Sequence, residues 1–299
     1  MRETRPATII RSDCRGVARK APDPKRSRSK RDAPAAIARR VALAGFQGVW
    51  IDRWGYPEAS PLPWRMLESQ LAEATGAEFQ GAAERVSSRF PSTVFIVTSG
   101  ERVSGNVSPL IFRLHEASYL AGIVAGGMTR TNRIAFIGGI ELPPIRLAEE
   151  AWVAGATSVN PALSARSTYL NTFDDVAAGR EAAVALLQTG ADMFHHNADQ
   201  AALGMFQAVR ESPRGYLFGA NLDQSGLAPD RVFGSSVIDL PRAFLAVARE
   251  VRTGSFTPKV ESFGLRSGVI RYEANPALDA RIPDVLRQRL RQALDSIVA

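Results

Sequence analysis

Thr93-Val94-Phe95-Ile96-Val97-Thr98, the helical stretch His115 to Met128, and Arg133-Ile134-Ala135-Phe136-Ile137 closed by Gly138-Gly139 are the three consecutive segments from which the fold is read. The first and third are short continuous apolar runs, as expected of strands covered on both faces. The middle one reads as a buried helix. Outward from there the alternation continues. A helix is expected over Arg146 to Ser158, with Leu147, Ala151, Ala154 and Ala156 at roughly helical spacing, and a strand over Ser167 to Leu170. Asp175 to Gln188 reads as an Ala-rich helix stopped by Gly190. Met193 to His195, the helix Gln200 to Arg210, and the strands Tyr216 to Gly219 and Val232 to Ile238 follow. Pro241 opens a helix running to Arg252, and Pro283 to Val298 reads as an amphipathic helix with arginines outward. Alternating strands and helices of this kind predict an α/β fold with a largely parallel sheet.

Bulk composition narrows the class. At 299 residues and 45% apolar content the chain buries a sizeable core in one large or two medium domains. No run approaches the roughly 18 apolar residues of a membrane-spanning helix, so no transmembrane segment is expected. Ala117 to Met128 is too short and holds three glycines. The formal net charge of +7 is concentrated at one end. Residues 1–40 carry 13 Lys and Arg against 4 Asp and Glu, leaving the remaining 259 residues two net negative charges. A duplex-binding domain needs a basic stripe on its folded face, so nucleic acid is not expected as a partner of the body.

Residues 1–40 contain neither the apolar stretch nor the cleavage site of an export signal, and Ile10-Arg11-Ser12-Asp13 before Cys14 does not resemble a lipid-attachment sequence. Their composition predicts a disordered tail or an incorrectly assigned start; the other reading is an arm for nucleic acid or anionic lipid. Cys14 is the single cysteine, which excludes an internal disulfide and a cysteine-rich metal site.

No P-loop, GxSxG elbow, HExxH or strand-following GxGxxG occurs, and Gly122 to Gly127 lies within a helix rather than before one. No catalytic residue, cofactor or metal is therefore expected, and the chain is not read as an enzyme. His195 and His196 fall on opposite faces of a strand and cannot chelate one ion together. The strand-to-helix junctions are the informative places, because ligands of open α/β sheets bind beyond the carboxyl ends of the strands. Here they read Gly138-Gly139, Asn171-Thr172-Phe173-Asp174-Asp175, Asn197-Ala198-Asp199 and Gly219-Ala220-Asn221-Leu222-Asp223-Gln224.

These junctions resemble those of the basic membrane protein family, whose purine nucleoside receptors are lipid-anchored or periplasmic binding proteins of ABC importers. Tyr119-Leu120-Ala121-Gly122 is similar to its helix motif, and Ile134 to Gly139 with Ile140-Glu141-Leu142-Pro143 is similar to its strand and loop "GxVGGxxxP". Trp152-Val153-Ala154-Gly155-Ala156 with Val159-Asn160-Pro161 resembles "GFxAGAxxVNP", and Thr172-Phe173-Asp174-Asp175 with Gly179 resembles "SFxDxxxG". Gly190-Ala191-Asp192 and Gly219 to Gln224 resemble "GAD" and "GVDxDQ". Their order and spacing over about residues 76 to 270 carry the resemblance.

It implies a type I periplasmic-binding-protein-like fold: two Rossmann-like lobes joined by three crossovers, with a ligand cleft between them. The expected division is a basic tail at 1–40, an altered start of the first lobe at 41–69, a first lobe of 70–129 plus 241–258, and a second of 130–240 plus 259–299. The implied function is capture of a nucleoside or similar small polar molecule for permease subunits, at the periplasm or cell envelope. Phe79 matches an aromatic loop that borders the ligand in the family. Asn221 stands where purine nucleoside receptors carry an aspartate that binds ribose hydroxyls; an amide offers a donor as well as an acceptor and lacks the charge. His196 to Ala201 replaces the usual "AAGxTG" loop. The opening strand with its "GFN" motif has no counterpart, although Arg40 to Phe46 has strand character.

The implied ligand-binding set is Phe79, Glu141, Phe173, Asn197, Asn221 and Asp223. Phe173 is either a core aromatic or a stacking platform. Glu141 is either a contact or an exposed loop carboxylate, and Asp223 either a contact or a support for its own loop. Asp175 reads as a helix N-cap. Trp50, Trp54 and Trp64 read as packing residues. Two alternatives stay open: a cytoplasmic ligand-responsive regulator with the same fold, and a truncated remnant that no longer binds.

Overall fold

A computed structural model describes residues 77–299 except Ser92, Ser99 and Glu101, with the backbone alone at 77–79 and 82. The tail with Cys14, the region 41–69 and Trp50, Trp54 and Trp64 lie outside the described residues. Helix α1 (Ala77–Ser87) is followed by β1 (Phe95–Thr98) and β2 (Val107–Phe112). Next come α2 (Leu114–Met128), β3 (Arg133–Gly138), α3 (Pro143–Val159), β4 (Ser164–Tyr169), α4 (Val176–Gln188) and β5 (Met193–Asn197). A 3-10 turn at Asp199–Ala201 leads into α5 (Ala202–Glu211), β6 (Tyr216–Asn221), β7 (Val232–Ile238) and α6 (Leu240–Thr253). Strands β8 (Glu261–Phe263) and β9 (Ile270–Ala274), the short α7 (Pro276–Asp279) and α8 (Asp284–Val298) complete the chain.

The chain forms two compact units, one running to Ile111 and including Leu245–Glu261, the other comprising Phe112–Phe244 and Ser262–Ala299. The chain crosses between them three times. Residues 112–129 were expected with the first lobe, but they fall in the second unit because α2 packs along α3. In the first unit β1 and β2 pair in parallel, with Phe95 opposite Val107. Nearby, Lys259 bridges Glu250 at 3.2 Å and Glu261 at 2.8 Å.

The second unit is built on a six-stranded sheet in the order β4-β3-β5-β6-β7-β9. The first five strands are parallel and β9 runs antiparallel to β7. Successive side chains alternate between the faces. Ala135, Ile137, Phe194 and Leu217 pack against Ala183, Leu186, Met205 and Val209 of α4 and α5. On the other face, the fully buried Trp152 of α3 has its ring 5.0 Å from both His195 and Phe218. Asp175 caps α4, accepting the Ala178 N–H at 3.0 Å, and Gly190 ends the helix region at φ 91°.

One helical stripe differs from expectation. The buried face of α3 is Ile145, Ala148, Trp152, Gly155 and Ala156, while Leu147 is 48% exposed. The cause is contact with α2. A Cβ on Gly122 or Gly126 would run into the backbone of Trp152 or Ala156, and one on Gly155 into the Tyr119 carbonyl. Facing glycines let the two helices touch backbone to backbone, which rotates α3 away from the Leu147 stripe.

His195 and His196 are both buried and lie on opposite faces. His195 places Nδ1 3.1 Å from the Phe218 carbonyl and Nε2 3.1 Å from the Ser118 hydroxyl. Its N–H therefore donates to the carbonyl while the other nitrogen accepts from the serine. Burial, with His196 adding to it, pushes His195 down to about 3, and burial pushes His196 down to about 4.

Two predictions follow from this core. Gly155→Ala forces α2 and α3 apart and is expected to cost about 2 kcal/mol, read as a fall of roughly 4–8 °C in thermal midpoint; an unchanged midpoint refutes the backbone contact. Unfolded histidines protonate near 6.5, whereas the buried pair stays neutral far below that. Their stabilisation is thus full above about pH 6.5 and declines as pH falls toward the folded values. Melts from pH 8 to 5 should show the midpoint difference between wild type and His196→Gln narrowing with acidity; a constant difference refutes this.

Candidate functional site

At the centre of the second unit the order of sheet growth reverses. The chain enters at β3, places β4 on one side and β5 on the other, then adds β6 and β7 beyond β5. Such reversals leave a crevice beyond the carboxyl ends of the strands. The residues there are Gly138 ending β3 and Gly139 after it, Asn171 to Phe173 after β4, Asn197 ending β5 and Asn221 ending β6. Backbone bonds tie them together: Gly139 N–H donates to the Asn197 carbonyl at 3.0 Å, and Asn171 N–H to the Gly139 carbonyl at 3.0 Å.

Backbone strain gathers at this end. Asn171, Asp199 and Asn221 have φ of 56°, 49° and 67°, a left-handed conformation that Asn and Asp tolerate best among residues with a side chain. Left-handed non-glycine residues cluster at functional loops because the surroundings must hold them there. Asn221 shows how. The Gln224 Oε1 accepts the Ala220 N–H at 2.9 Å and the His196 Nε2–H at 2.8 Å. Gln224 N–H in turn donates to the Ser235 hydroxyl at 3.0 Å. Asn221 is the residue after Ala220, so this network fixes the turn that presents its amide.

The six residues expected to contact ligand are placed unequally. Asn197 and Asn221 meet, with Asn221 Nδ2 donating to Asn197 Oδ1 at 3.4 Å. Both are half-buried. Phe173 is half-buried, its ring lying against Gly139, where a Cβ would collide with it. Its carbonyl accepts the Ala201 N–H at 2.9 Å. Asp223 is exposed and its carboxylate accepts from Ser225 N–H at 3.0 Å, Ser225 hydroxyl at 2.7 Å and Ser235 hydroxyl at 3.3 Å. Those bonds build its own loop. Glu141 is exposed, 3.7 Å from Arg146. Phe79 falls within α1 in the other unit rather than in a loop, because Ala77–Ser87 forms a regular helix.

Two residues here escaped the sequence reading. Tyr169 ends β4 with its ring against Gly138 and its hydroxyl donating to Glu149. Burial, with the neighbouring Glu149 carboxylate, pushes the phenol well above its ordinary value. The paired glycines were the available signal, since Gly138 and Gly139 leave room for the Tyr169 and Phe173 rings. Gln224 is the other, marked only by its place in the turn after β6. Among the described residues no group of three His, Cys, Asp or Glu side chains is placed to hold a metal ion. Nor, among them, is any helix long and apolar enough to cross a membrane.

Comparison with known proteins places this arrangement. A family model described as ABC transporter substrate-binding protein PnrA-like matches residues 67–299. Basic membrane protein A of Borreliella afzelii is 30% identical over 217 residues, covering 70% of this chain and 67% of that protein. The chain spans about two thirds of the length of the curated relatives it matches, 64% for two basic membrane proteins A of Borrelia garinii. An ABC transporter solute-binding protein from Aeropyrum pernix superposes with a TM-score of 0.68 at 20% identity, over 88% of this chain and 86% of that one. A transcriptional activator of the comK gene from Bacillus halodurans superposes with a TM-score of 0.67 at 19% identity, over 79% and 83%. At these identities the two superpositions speak for the fold alone, an α/β fold of the periplasmic-binding-protein type. The matching family is one of solute-binding proteins and not of enzymes. With the family model covering most of its length, the chain belongs to the PnrA-like family of ABC transporter substrate-binding proteins.

Proposed function

We propose that this chain captures a nucleoside or similar small polar molecule at the cell envelope and delivers it to ABC permease subunits. The observation that carries this reading is the meeting of the Asn197 and Asn221 amides at the sheet's reversal point. A 3.4 Å contact is a weak hydrogen bond, easily exchanged for bonds to a ligand. Each amide carries both donors and an acceptor, so the pair suits hydroxyls or the polar edge of a base. The Phe173 ring beside Gly139 offers a flat apolar surface of the kind that a planar base stacks on. In this reading Asn197, Asn221 and Phe173 touch the ligand. Asp223 acts through its loop, and Glu141 lies at the rim.

A ligand-responsive regulator is the second reading, kept by the nine net positive charges of residues 1–40. It requires those residues to hold the chain on nucleic acid in a salt-sensitive way.

Thermal melts against nucleosides, bases, sugars and amino acids test the first reading. A nucleoside at about 100 times its Kd should stabilise the fold by roughly 2.7 kcal/mol. Asn197→Ala should weaken that ligand by about tenfold, the worth of one hydrogen bond. Asn221→Asp, which retains a residue type that tolerates the left-handed turn, should shift preference from free bases toward nucleosides by about tenfold. A cooperative melt that no compound raises removes the nucleoside reading. Absence of a cooperative melt supports the remnant. DNA retention abolished by deleting residues 1–40 supports the regulator.

A further inference from the structure

His196, Gly219 and Ser235 stand in one row on the same face of β5, β6 and β7. Gly219 pairs with Ser235, while His195 and Phe218, each one residue earlier, pair with one another. The middle position of the row has no side chain of its own. A Cβ on Gly219 would strike the Ser235 hydroxyl and the Gln224 side chain. Gln224, folded back from the turn after β6 and half-buried, takes that place.

The bonds around Gln224 assign every proton. Its N–H donates to the Ser235 hydroxyl at 3.0 Å, and its Oε1 accepts the Ala220 N–H at 2.9 Å. The same oxygen lies 2.8 Å from His196 Nε2. A backbone N–H points at this atom, so it is the amide oxygen and not the NH2 group. His196 must then carry its proton on Nε2. The Ala198 N–H, 3.4 Å from Nδ1, agrees, because only an unprotonated nitrogen accepts there. Phe206 of α5 sets its ring nearly perpendicular to the imidazole, centroids 5.8 Å apart, and burial keeps the imidazole uncharged.

Asn197 lies between His196 and Ala198, and Asn221 follows Ala220. One imidazole and one amide oxygen therefore join the backbone on both sides of Asn197 to the residue before Asn221. The direct contact between the two asparagine amides, at 3.4 Å, is too weak to set their spacing. The bonds behind it are shorter and shielded from water.

We propose that His196 and Gln224 are positioning residues: through one shared oxygen they fix the spacing of the Asn197 and Asn221 amides, and with it the ligand groups that the pair can span. The inference rests on the reading of those two asparagines as ligand contacts, although the clamp itself is measurable without ligand.

Nitrogen resonances of the full chain test it. In the wild type the His196 imidazole should show the shifts of the neutral, Nε2-protonated tautomer. Gln224→Met keeps the length of the side chain and removes the shared oxygen. It should displace the side-chain amide signals of Asn197 as well as Asn221, and weaken adenosine by about tenfold or more, the worth of one hydrogen bond. Gln224→Glu retains an oxygen that accepts the same two N–H groups, so at pH 8 it should return both signals toward their wild-type positions and recover most of the affinity. Circular dichroism and the melting curve verify that the variants fold. A His196 protonated on Nδ1 overturns the proposal whatever the variants do. So does an Asn197 signal unmoved in Gln224→Met, or a Gln224→Glu variant as disturbed as Gln224→Met. If the wild type fails to bind millimolar adenosine while the resonances respond as expected, the nucleoside reading falls and the clamp stands.

Discussion

Helices α2 and α3 touch without a side chain between them, and much of the second unit depends on that contact. Gly122, Gly126 and Gly155 bring one backbone against the other, and a methyl group at any of them would meet backbone atoms that cannot yield. The close approach sets the roll of α3, and the roll puts Trp152 rather than Leu147 into the core. Trp152 then packs on His195 of β5 and Phe218 of β6, two of the strands whose far ends carry the paired amides. Three small residues thereby hold the central strands relative to the helix layer. The loop joining β3 to α3 spans the same two elements, so the position of Gly138 and Gly139 follows from it.

A second set of contacts closes the unit where the chain enters and re-enters it. Phe112 stacks on Phe263 with ring centroids 6.1 Å apart, and Arg113 N–H donates to the Phe263 carbonyl at 2.8 Å. The Glu116 carboxylate, 7% exposed, accepts the Leu265 N–H at 2.6 Å and pairs with Arg113 at 2.8 Å. A buried carboxylate without such partners would be costly. Gly264 completes the arrangement, since any side chain there would strike that carboxylate. The segments near 112 and 262 are therefore fixed to the start of α2 by charge-assisted bonds, although about 150 residues separate them along the chain.

Long-period features were legible in the sequence. Strands β1 and β3 hold short continuous apolar runs, and Asp175, Gly190 and Pro241 mark helix ends by their own backbone chemistry. What escaped depended on neighbours distant in sequence. Strand β2 contains Pro109 and resembles a loop until β1 pairs beside it. Strand β9, Ile270-Arg271-Tyr272-Glu273-Ala274, alternates with charges because it is an antiparallel edge. Periodicity alone favoured Leu147 on α3, and only the facing glycines of α2 reverse that choice. At the strand ends the asparagines were readable as polar residues in the right loops. The contact between Asn197 and Asn221 was not, since it requires β5 and β6 to be neighbours.

The character of that amide pair bears on what the strand ends are suited to hold. An aspartate at 221 would stand two residues from Asp223, whose carboxylate is occupied by Ser225 and Ser235 hydroxyls rather than by a cation. A second carboxylate in that turn would repel the first and could only accept hydrogen bonds, which selects a ligand rich in donors such as sugar hydroxyls. With asparagine the turn carries one charge, and that charge is used in shaping the loop. The left-handed backbone at 221 is kept, because Asn and Asp both accept it, while the electrostatics change. On the proposed function, the strand ends then discriminate by the direction of hydrogen bonds and by the flat surface of Phe173, which favours an uncharged polar molecule.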